Sequence, residues 1–146
     1  MKFYLKKPVK IVMLGAGGTG GHIAPHLYRL LHALDRPVEV IIADGDIVEE
    51  KNLVRQNFIS CDLGRNKAQV LAERYAPAFG MEIKYIPDFI ENEEKLAKLL
   101  KPGFSYYSPE TLTILIGAVD NNKSRQLCHR VFNKSENLIY IDSGNG

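Results

Sequence analysis

The stretch Gly15-Ala16-Gly17-Gly18-Thr19-Gly20-Gly21 separates an apolar run from an amphipathic one. Glycines let a backbone turn sharply and let an anion approach its N–H groups. A helix starting there adds about half a positive charge at its N-terminus. Asp44 closes the next apolar run, a position from which a carboxylate accepts hydrogen bonds from ribose hydroxyls. Together these describe a nucleotide site that NAD, FAD or ATP would fit; a tight strand–helix turn without a ligand is the plainer alternative. Arg55 and Lys67 narrow the choice. The glycine loop already meets the pyrophosphate of a dinucleotide, so a dehydrogenase has no use for two cations just beyond its ribose carboxylate. A triphosphate carries more charge, to which arginine offers a planar fork and lysine a point charge. Asp120 ends a further apolar run, at the sheet edge where open α/β folds bind ligands, and a carboxylate there can hold Mg²⁺.

These residues need a frame. Val9 to Leu14 reads as a buried strand stopped by glycine. Ile23, Leu27, Leu30, Leu31 and Leu34 share one face of a helix, with Pro25 early in it, where a missing N–H is tolerated. Val38 to Ala43 is a second strand, Ala68, Leu71, Ala72 and Tyr75 mark a helix from near Asn66 to Pro77, and Glu82 to Ile86 is a weaker third strand. Asn92 caps a helix with Glu93 and Glu94 in its first turn and Lys98 and Lys101 in its last, stopped by Pro102-Gly103. Leu112 to Ile116 and Leu138 to Ile141 are the fourth and fifth strands, with Leu127, Cys128, Val131 and Phe132 lining the helix between them. Strands alternating with helices predict an α/β fold: a Rossmann-like, doubly wound, mostly parallel sheet with helices on both faces.

At 146 residues the chain has the length of one domain, 1–146, enough to bury about 68–70% of its unfolded surface. With 45% hydrophobic and 25% charged residues it is neither disordered nor fibrous. A net charge of +2 does not point to nucleic acid as a partner. No apolar run is long enough for a membrane span or a signal peptide, so a cytoplasmic protein without a membrane partner is expected. Cys61 and Cys128 make neither a disulfide framework nor a C-x-x-C zinc pair.

In order along the chain stand G-A-G-G-T-G (Gly15 to Gly20), D-G-D-I-V (Asp44 to Val48), N-L-V-R-Q (Asn52 to Gln56), Gly64 with Lys67, D-N (Asp120-Asn121) with Arg125, and I-D-S-G (Ile141 to Gly144). In these the sequence resembles the ThiF/MoeB-type adenylyltransferases, the superfamily that includes the ubiquitin-activating enzymes. The glycine loop is weak by itself; the D-x-D and N-L-x-R-Q pair is specific. The resemblance implies an enzyme that binds ATP and Mg²⁺ and attaches AMP to the C-terminal glycine carboxylate of a ubiquitin-like or sulfur-carrier β-grasp protein, releasing pyrophosphate. It implies a glycine loop (Gly15, Gly17, Gly18, Gly20) with Gly18 against the phosphates, and Asp44 on the ribose. Asn52, Arg55 and Lys67 would contact phosphates, Asp120 would bind Mg²⁺, and Asn121 would lie beside the nucleotide. Asp46, Gln56 and Arg125 are read as structural members of their motifs. The chemistry agrees: a carboxylate is already a nucleophile, so the protein has only to align it and neutralise charge on the leaving group. The competing readings are a non-catalytic interaction subunit of the same fold and a NAD(P)- or FAD-binding Rossmann domain.

The family's subunits donate an N-terminal arginine across a dimer interface, yet no arginine precedes Arg29. Lys2, Lys6, Lys7 and Lys10 are the candidates to replace it, the alternative being that the contact is missing. Lys51 stands where a small polar residue is common. The chain stops at Gly146, just past a strand, so the family's C-terminal part, with its acceptor cysteine, is expected to be lacking and a homodimer to form. Cys128 is expected to pack on an apolar helix face and Cys61 to sit in a loop, neither as a nucleophile. His22 and His26 have metal-compatible spacing but no third ligand, which makes them surface or loop-contacting residues. Tyr106-Tyr107, between Ser105 and Ser108, reads as a turn.

Overall fold

Every strand found is parallel to its neighbour, and the chain visits the sheet in two opposite directions from one central strand. In the computed structural model, which describes residues 7–101 and 111–143, the strands are β1 (Val9–Leu14), β2 (Val38–Ala43), β3 (Ile83–Ile86), β4 (Leu112–Gly117) and β5 (Leu138–Asp142). The helices are α1 (Gly18–Leu34), α2 (Lys67–Phe79), α3 (Glu93–Leu100) and α4 (Asn122–Asn133). The strand order is β3-β2-β1-β4-β5, so the first three strands run one way from β1 and the last two the other. Lys2, Lys6, the Pro102-Gly103 stop, the Tyr106-Tyr107 turn and Gly144 lie outside the described residues.

β1 pairs with both β2 and β4 and is buried along its whole length. A strand covered on both faces cannot alternate apolar with polar, and this is why it reads as a continuous apolar run. Val9, Ile11 and Met13 join one core with Tyr28 and Leu31 of α1 and Val70 and Leu71 of α2. Val12 and Leu14 join a second core with Leu96 and Leu100 of α3 and Leu127 and Val131 of α4. The expected doubly wound architecture, with helices on both faces, is therefore what the chain adopts.

Several element boundaries differ from the sequence expectation, among them the start of β3, at Ile83 in place of Glu82. α1 begins inside the glycine run at Gly18 rather than after it, so Pro25 lies in the helix interior. A proline there cannot donate to the carbonyl of Gly21, four residues back. The Asn57 side-chain amide supplies that bond instead, at 3.1 Å. α2 continues past Pro77 to Phe79, where Gly80 (φ 62°) ends it and donates to Pro77. The prolonged turn is held because Phe79 packs against the core and meets the His32 ring. β4 and β5 each extend one residue further, to Gly117 and Asp142.

Tyr28 ties α1 to α2. It is fully buried, its hydroxyl donates to the Leu71 carbonyl at 3.0 Å, and its ring meets Tyr75 edge-on. Burial pushes its phenol far above the ordinary tyrosine range. Tyr28→Phe is expected to cost about 0.5–1.5 kcal/mol for the lost hydrogen bond. Tyr28→Ala should cost about 3–5 kcal/mol through the cavity it leaves. Urea unfolding of the three proteins checks the order, and a phenylalanine variant as unstable as the alanine one would show that the hydroxyl, not packing, dominates.

Candidate functional site

A cleft of about 390 Å³ opens at the carboxyl ends of β1, β2 and β4. It sits where β1 and β4 lie side by side while their following segments turn to opposite faces, the switch point at which open α/β sheets bind ligands. Gly15, Gly17, Gly18, Asp44, Arg55, Lys67, Asp120 and Asn121 all line it. Of the residues expected there, Gly20 and Asn52 do not.

Gly15 has φ +101°, a region that L side chains rarely adopt, and a β-carbon there would sit 2.3 Å from the Ala118 carbonyl oxygen. Gly20 serves the same close approach from the other side: its β-carbon would lie 2.2 Å from the Gly15 carbonyl oxygen. It lets α1 start directly beneath the loop and lies outside the cleft lining. α2, α3 and α4 are each capped by an asparagine side chain, from Asn66, Asn92 and Asn121. α1 has Gly17 in the capping position and no side-chain cap, so its first N–H groups are left for a ligand.

Asp44 spans two loops. One carboxylate oxygen accepts the Ala16 N–H at 2.7 Å and the other the Asp46 N–H at 2.8 Å. Burial raises its carboxyl above the usual range, and these two N–H groups offset that only in part. The Asn66 side-chain amide donates to the Asp44 carbonyl at 2.8 Å, so α2 starts from the same knot.

Lys67 is the first residue of α2, and its side chain is 8% exposed. Its Nζ lies 3.7 Å from the carboxylate of Asp46. The Arg55 side chain is exposed, and among the described residues its guanidinium makes no hydrogen bond or ion pair. Asn52, by contrast, is buried, and its side-chain oxygen accepts the Glu49 N–H at 2.8 Å. It shapes the 3₁₀ turn Glu50–Asn52 that aims Arg55, in place of the expected position in the cleft. Asn121 reaches the cleft, but its oxygen is spent on the Ser124 N–H, which leaves its amide hydrogens for a ligand. Asp120 is exposed at the rim.

Arg125 is structural, as expected: it pairs with Asp142 at 2.9 Å. Ser143 adds two bonds to the Gly117 carbonyl, so the I-D-S segment fastens β5 to β4. Lys10 is buried and bonded to Glu39 and the Lys101 carbonyl at the opposite end of β1, which removes it as a replacement for the family's arginine. Lys51 pairs with Glu49. Cys61 is exposed and Cys128 buried; burial pushes the Cys128 thiol up to about 11, away from a reactive thiolate. His22 contacts Asn57, a loop residue. Among the described residues no group of three histidine, cysteine or acidic side chains is placed to hold a metal.

Sequence reasoning missed the apolar wall. Phe89 and Ile90, in the loop after β3, line the cleft together with Val119. The Phe89 ring covers the backbone of Gly45, where a β-carbon would lie 2.4 Å from it. An aromatic residue just past a strand's carboxyl end was the available signal. Gln56 also lines the cleft, and its side-chain oxygen is buried with no partner among the described residues.

The crossover that carries Arg55 is pinned by Asp62, which is 1% exposed. Its carboxylate accepts the Ile59 N–H at 2.8 Å and binds Arg74, whose other nitrogen donates to the Asn57 carbonyl at 2.7 Å. Burial works against ionisation of Asp62, but the Ile59 N–H and the Arg74 guanidinium outweigh it and hold the carboxyl below the usual range.

A glycine loop, a ribose-type carboxylate and a cleft that holds both Arg55 and Lys67 at the switch point define a Rossmann-like nucleotide-binding protein. The ThiF family profile matches residues 5–144, and the chain belongs to that family. Among solved structures it is similar to E. coli tRNA N6-threonylcarbamoyladenosine dehydratase, TcdA, in complex with ATP. The identity is 23% over 90% of this chain and 49% of that one, with a TM-score of 0.67. E. coli MccB with ATP is 27% identical over 91% of this chain and 36% of that one, with a TM-score of 0.64. PaaA is 22% identical over 92% of this chain and 37% of that one, with a TM-score of 0.61. The chain thus spans about half of TcdA and little over a third of MccB. Comparison with curated protein sequences finds no match.

Because the folded carboxyl of Asp62 lies below its unfolded value of about 3.9, its contribution is fully present above about pH 4 and is lost as pH falls through the folded value. Asp62→Asn is therefore expected to cost about 1.5–3 kcal/mol at pH 7 and progressively less below pH 4. Unfolding free energies measured from pH 7 to pH 3 check this, and a penalty independent of pH would place the role of Asp62 in its shape, not its charge.

Proposed function

We propose that this chain is the ATP-binding part of an adenylyltransferase. It would activate the C-terminal glycine carboxylate of a ubiquitin-like or sulfur-carrier β-grasp protein as an acyl-adenylate, with release of pyrophosphate. The observation that carries the reading is the convergence of Arg55 and buried Lys67 on the uncapped start of α1, with Asp44 opposite. These two cations come in addition to a glycine loop that already meets a dinucleotide's two phosphates. MccB, solved with ATP and with AMPCPP and MccA, supports a related fold taking up an adenine nucleotide together with a second ligand.

In this reading the glycine-loop N–H groups hold the phosphates, Asp44 the ribose, and the Phe89–Ile90 wall the base. One substrate carboxylate oxygen forms a bond to the α-phosphorus. The bond from that phosphorus to the bridging oxygen breaks, and its electron pair leaves with pyrophosphate; no proton moves. Arg55 and Lys67 neutralise the departing charge and keep the three groups in line. Asp120 offers Mg²⁺ one carboxylate, which fits an ion that keeps waters and takes its other oxygens from phosphates. The ion would supply further neutralisation of the pyrophosphate. A homodimer working in the cytoplasm completes the proposal; among the described residues no helix is long and apolar enough to cross a membrane. TcdA, by its name, acts on a modified nucleoside of tRNA, and so a tRNA-borne acceptor is the second reading.

Calorimetry should find ATP–Mg²⁺ bound more tightly than NAD, and the reverse order would overturn the nucleotide assignment. Arg55→Ala and Lys67→Ala should each weaken ATP by about 1.5–3 kcal/mol and AMP by much less. Equal losses for the two nucleotides would mean that these side chains hold the fold alone. Pyrophosphate exchange stimulated by a β-grasp protein ending in glycine supports the acceptor proposed here; stimulation by tRNA alone selects the second reading.

A further inference from the structure

Lys67 is placed where a cation is least comfortable. It is buried, and it occupies the first position of α2, at the positive end of the helix dipole. A buried ammonium without a counter-ion is costly, so something negative must stand near it. Three carboxylates lie within its electrostatic reach, from Asp46 at 3.7 Å and from Asp44 and Glu49. Asp44 is committed to the Ala16 and Asp46 N–H groups, and Glu49 to the Lys51 ammonium at 2.7 Å. Asp46 is different. Among the described residues its carboxylate has one ion-pair partner, Lys67, at a loose 3.7 Å.

The two halves of this pair are unequal. The Asp46 side chain is 58% exposed, against 8% for Lys67. The Asp46 backbone is fixed: its N–H donates to Asp44, and its carbonyl accepts the Lys67 N–H at 2.9 Å and the Asn66 amide at 3.2 Å. Only its side chain can rotate, and it can rotate into water. The lysine stays, and its anion is exchangeable.

We propose that Asp46 is a placeholder counter-ion: it holds the charge of Lys67 while the cleft is empty and yields it to the phosphates when a nucleotide enters. This rests on the ATP reading above and assigns Asp46 a positioning role in that site. Asp46 then stabilises the empty protein and not the loaded one, and by linkage it weakens nucleotide binding by the amount it stabilises the empty state.

The test compares wild type with Asp46→Asn by thermal unfolding and by calorimetry with ATP, ADP and AMP, each with and without Mg²⁺. Asp46→Asn should melt lower than wild type when empty and at the same temperature when saturated with ATP. It should bind ATP about two- to fivefold more tightly, on the scale of a partly exposed ion pair. The gain should shrink for AMP and at high salt. Lower melting in both states with unchanged affinity would overturn the proposal and leave Asp46 merely structural. Weaker ATP binding in the presence of Mg²⁺ alone would overturn it in favour of a metal ligand. A wild-type protein that binds no ATP would instead overturn the nucleotide reading on which the proposal stands. If Asp46→Asn does not fold, Asp46→Ser, which also lacks the charge, takes the same measurements.

Discussion

The cleft depends on two backbones meeting where side chains would have kept them apart. At the end of β1 the chain turns through Gly15, whose missing β-carbon leaves room for the Ala118 carbonyl at the end of β4. Gly20 repeats the device against Gly15 itself. With those contacts closed, α1 starts directly beneath the loop, uncapped, and its free N–H groups face the gap between β1 and β4. Substitution at either glycine would not remove a ligand contact so much as push apart the two strands between which any ligand must sit. Asp44 completes the closure from β2, taking one N–H from each flanking loop.

A second layer of polar contacts carries the crossover between β2 and α2, a segment with little regular structure of its own. Asp62, Arg74 and the Asn57 carbonyl hold it against α2, while the Asn57 side chain reaches α1 and satisfies the Gly21 carbonyl that Pro25 cannot. Asn52 turns inward to close the 3₁₀ turn before Arg55. The polar residues of this segment therefore serve mostly to build a rigid shelf, from which Arg55 and Gln56 project into the cleft. Such a segment can present a guanidinium without a resident partner because the shelf, not the guanidinium, carries its stability.

Electrostatics follow the same division. Charges that hold the fold are paired at close range, as in Arg125 with Asp142 or Arg74 with Asp62. Charges at the cleft are loosely paired or unpaired among the described residues: Lys67 with Asp46 at 3.7 Å, Arg55 and Asp120 with none. A site meant for a polyanion keeps its cations incompletely satisfied, since a tight internal pair would have to be broken before a ligand could bind.

The strands, the helices and the sheet class were legible because they rest on local rules. The Val9–Leu14 run, the asparagines at the starts of α2 and α3 and the glycine stretch act within a few residues of themselves, whereas the capping role of Asn121 on α4 went unread. The boundaries that moved did so where a distant group intervened, as Asn57 does for Pro25 and the core does for Phe79. The residue types of the site were legible too: Asp44, Arg55, Lys67 and Asp120 all reach one cleft. Which members of a motif face that cleft was decided only by tertiary structure. Asn52 lies three residues from Arg55 and points the other way, Phe89 arrives from a loop more than forty residues beyond Asp44, and Asp46 meets Lys67 because α2 starts on the carbonyls of the Asp44–Asp46 turn. Spacing along a chain sets what a local turn can do, whereas these contacts exist only once β1, β2 and β4 have paired and brought their carboxyl ends to one edge.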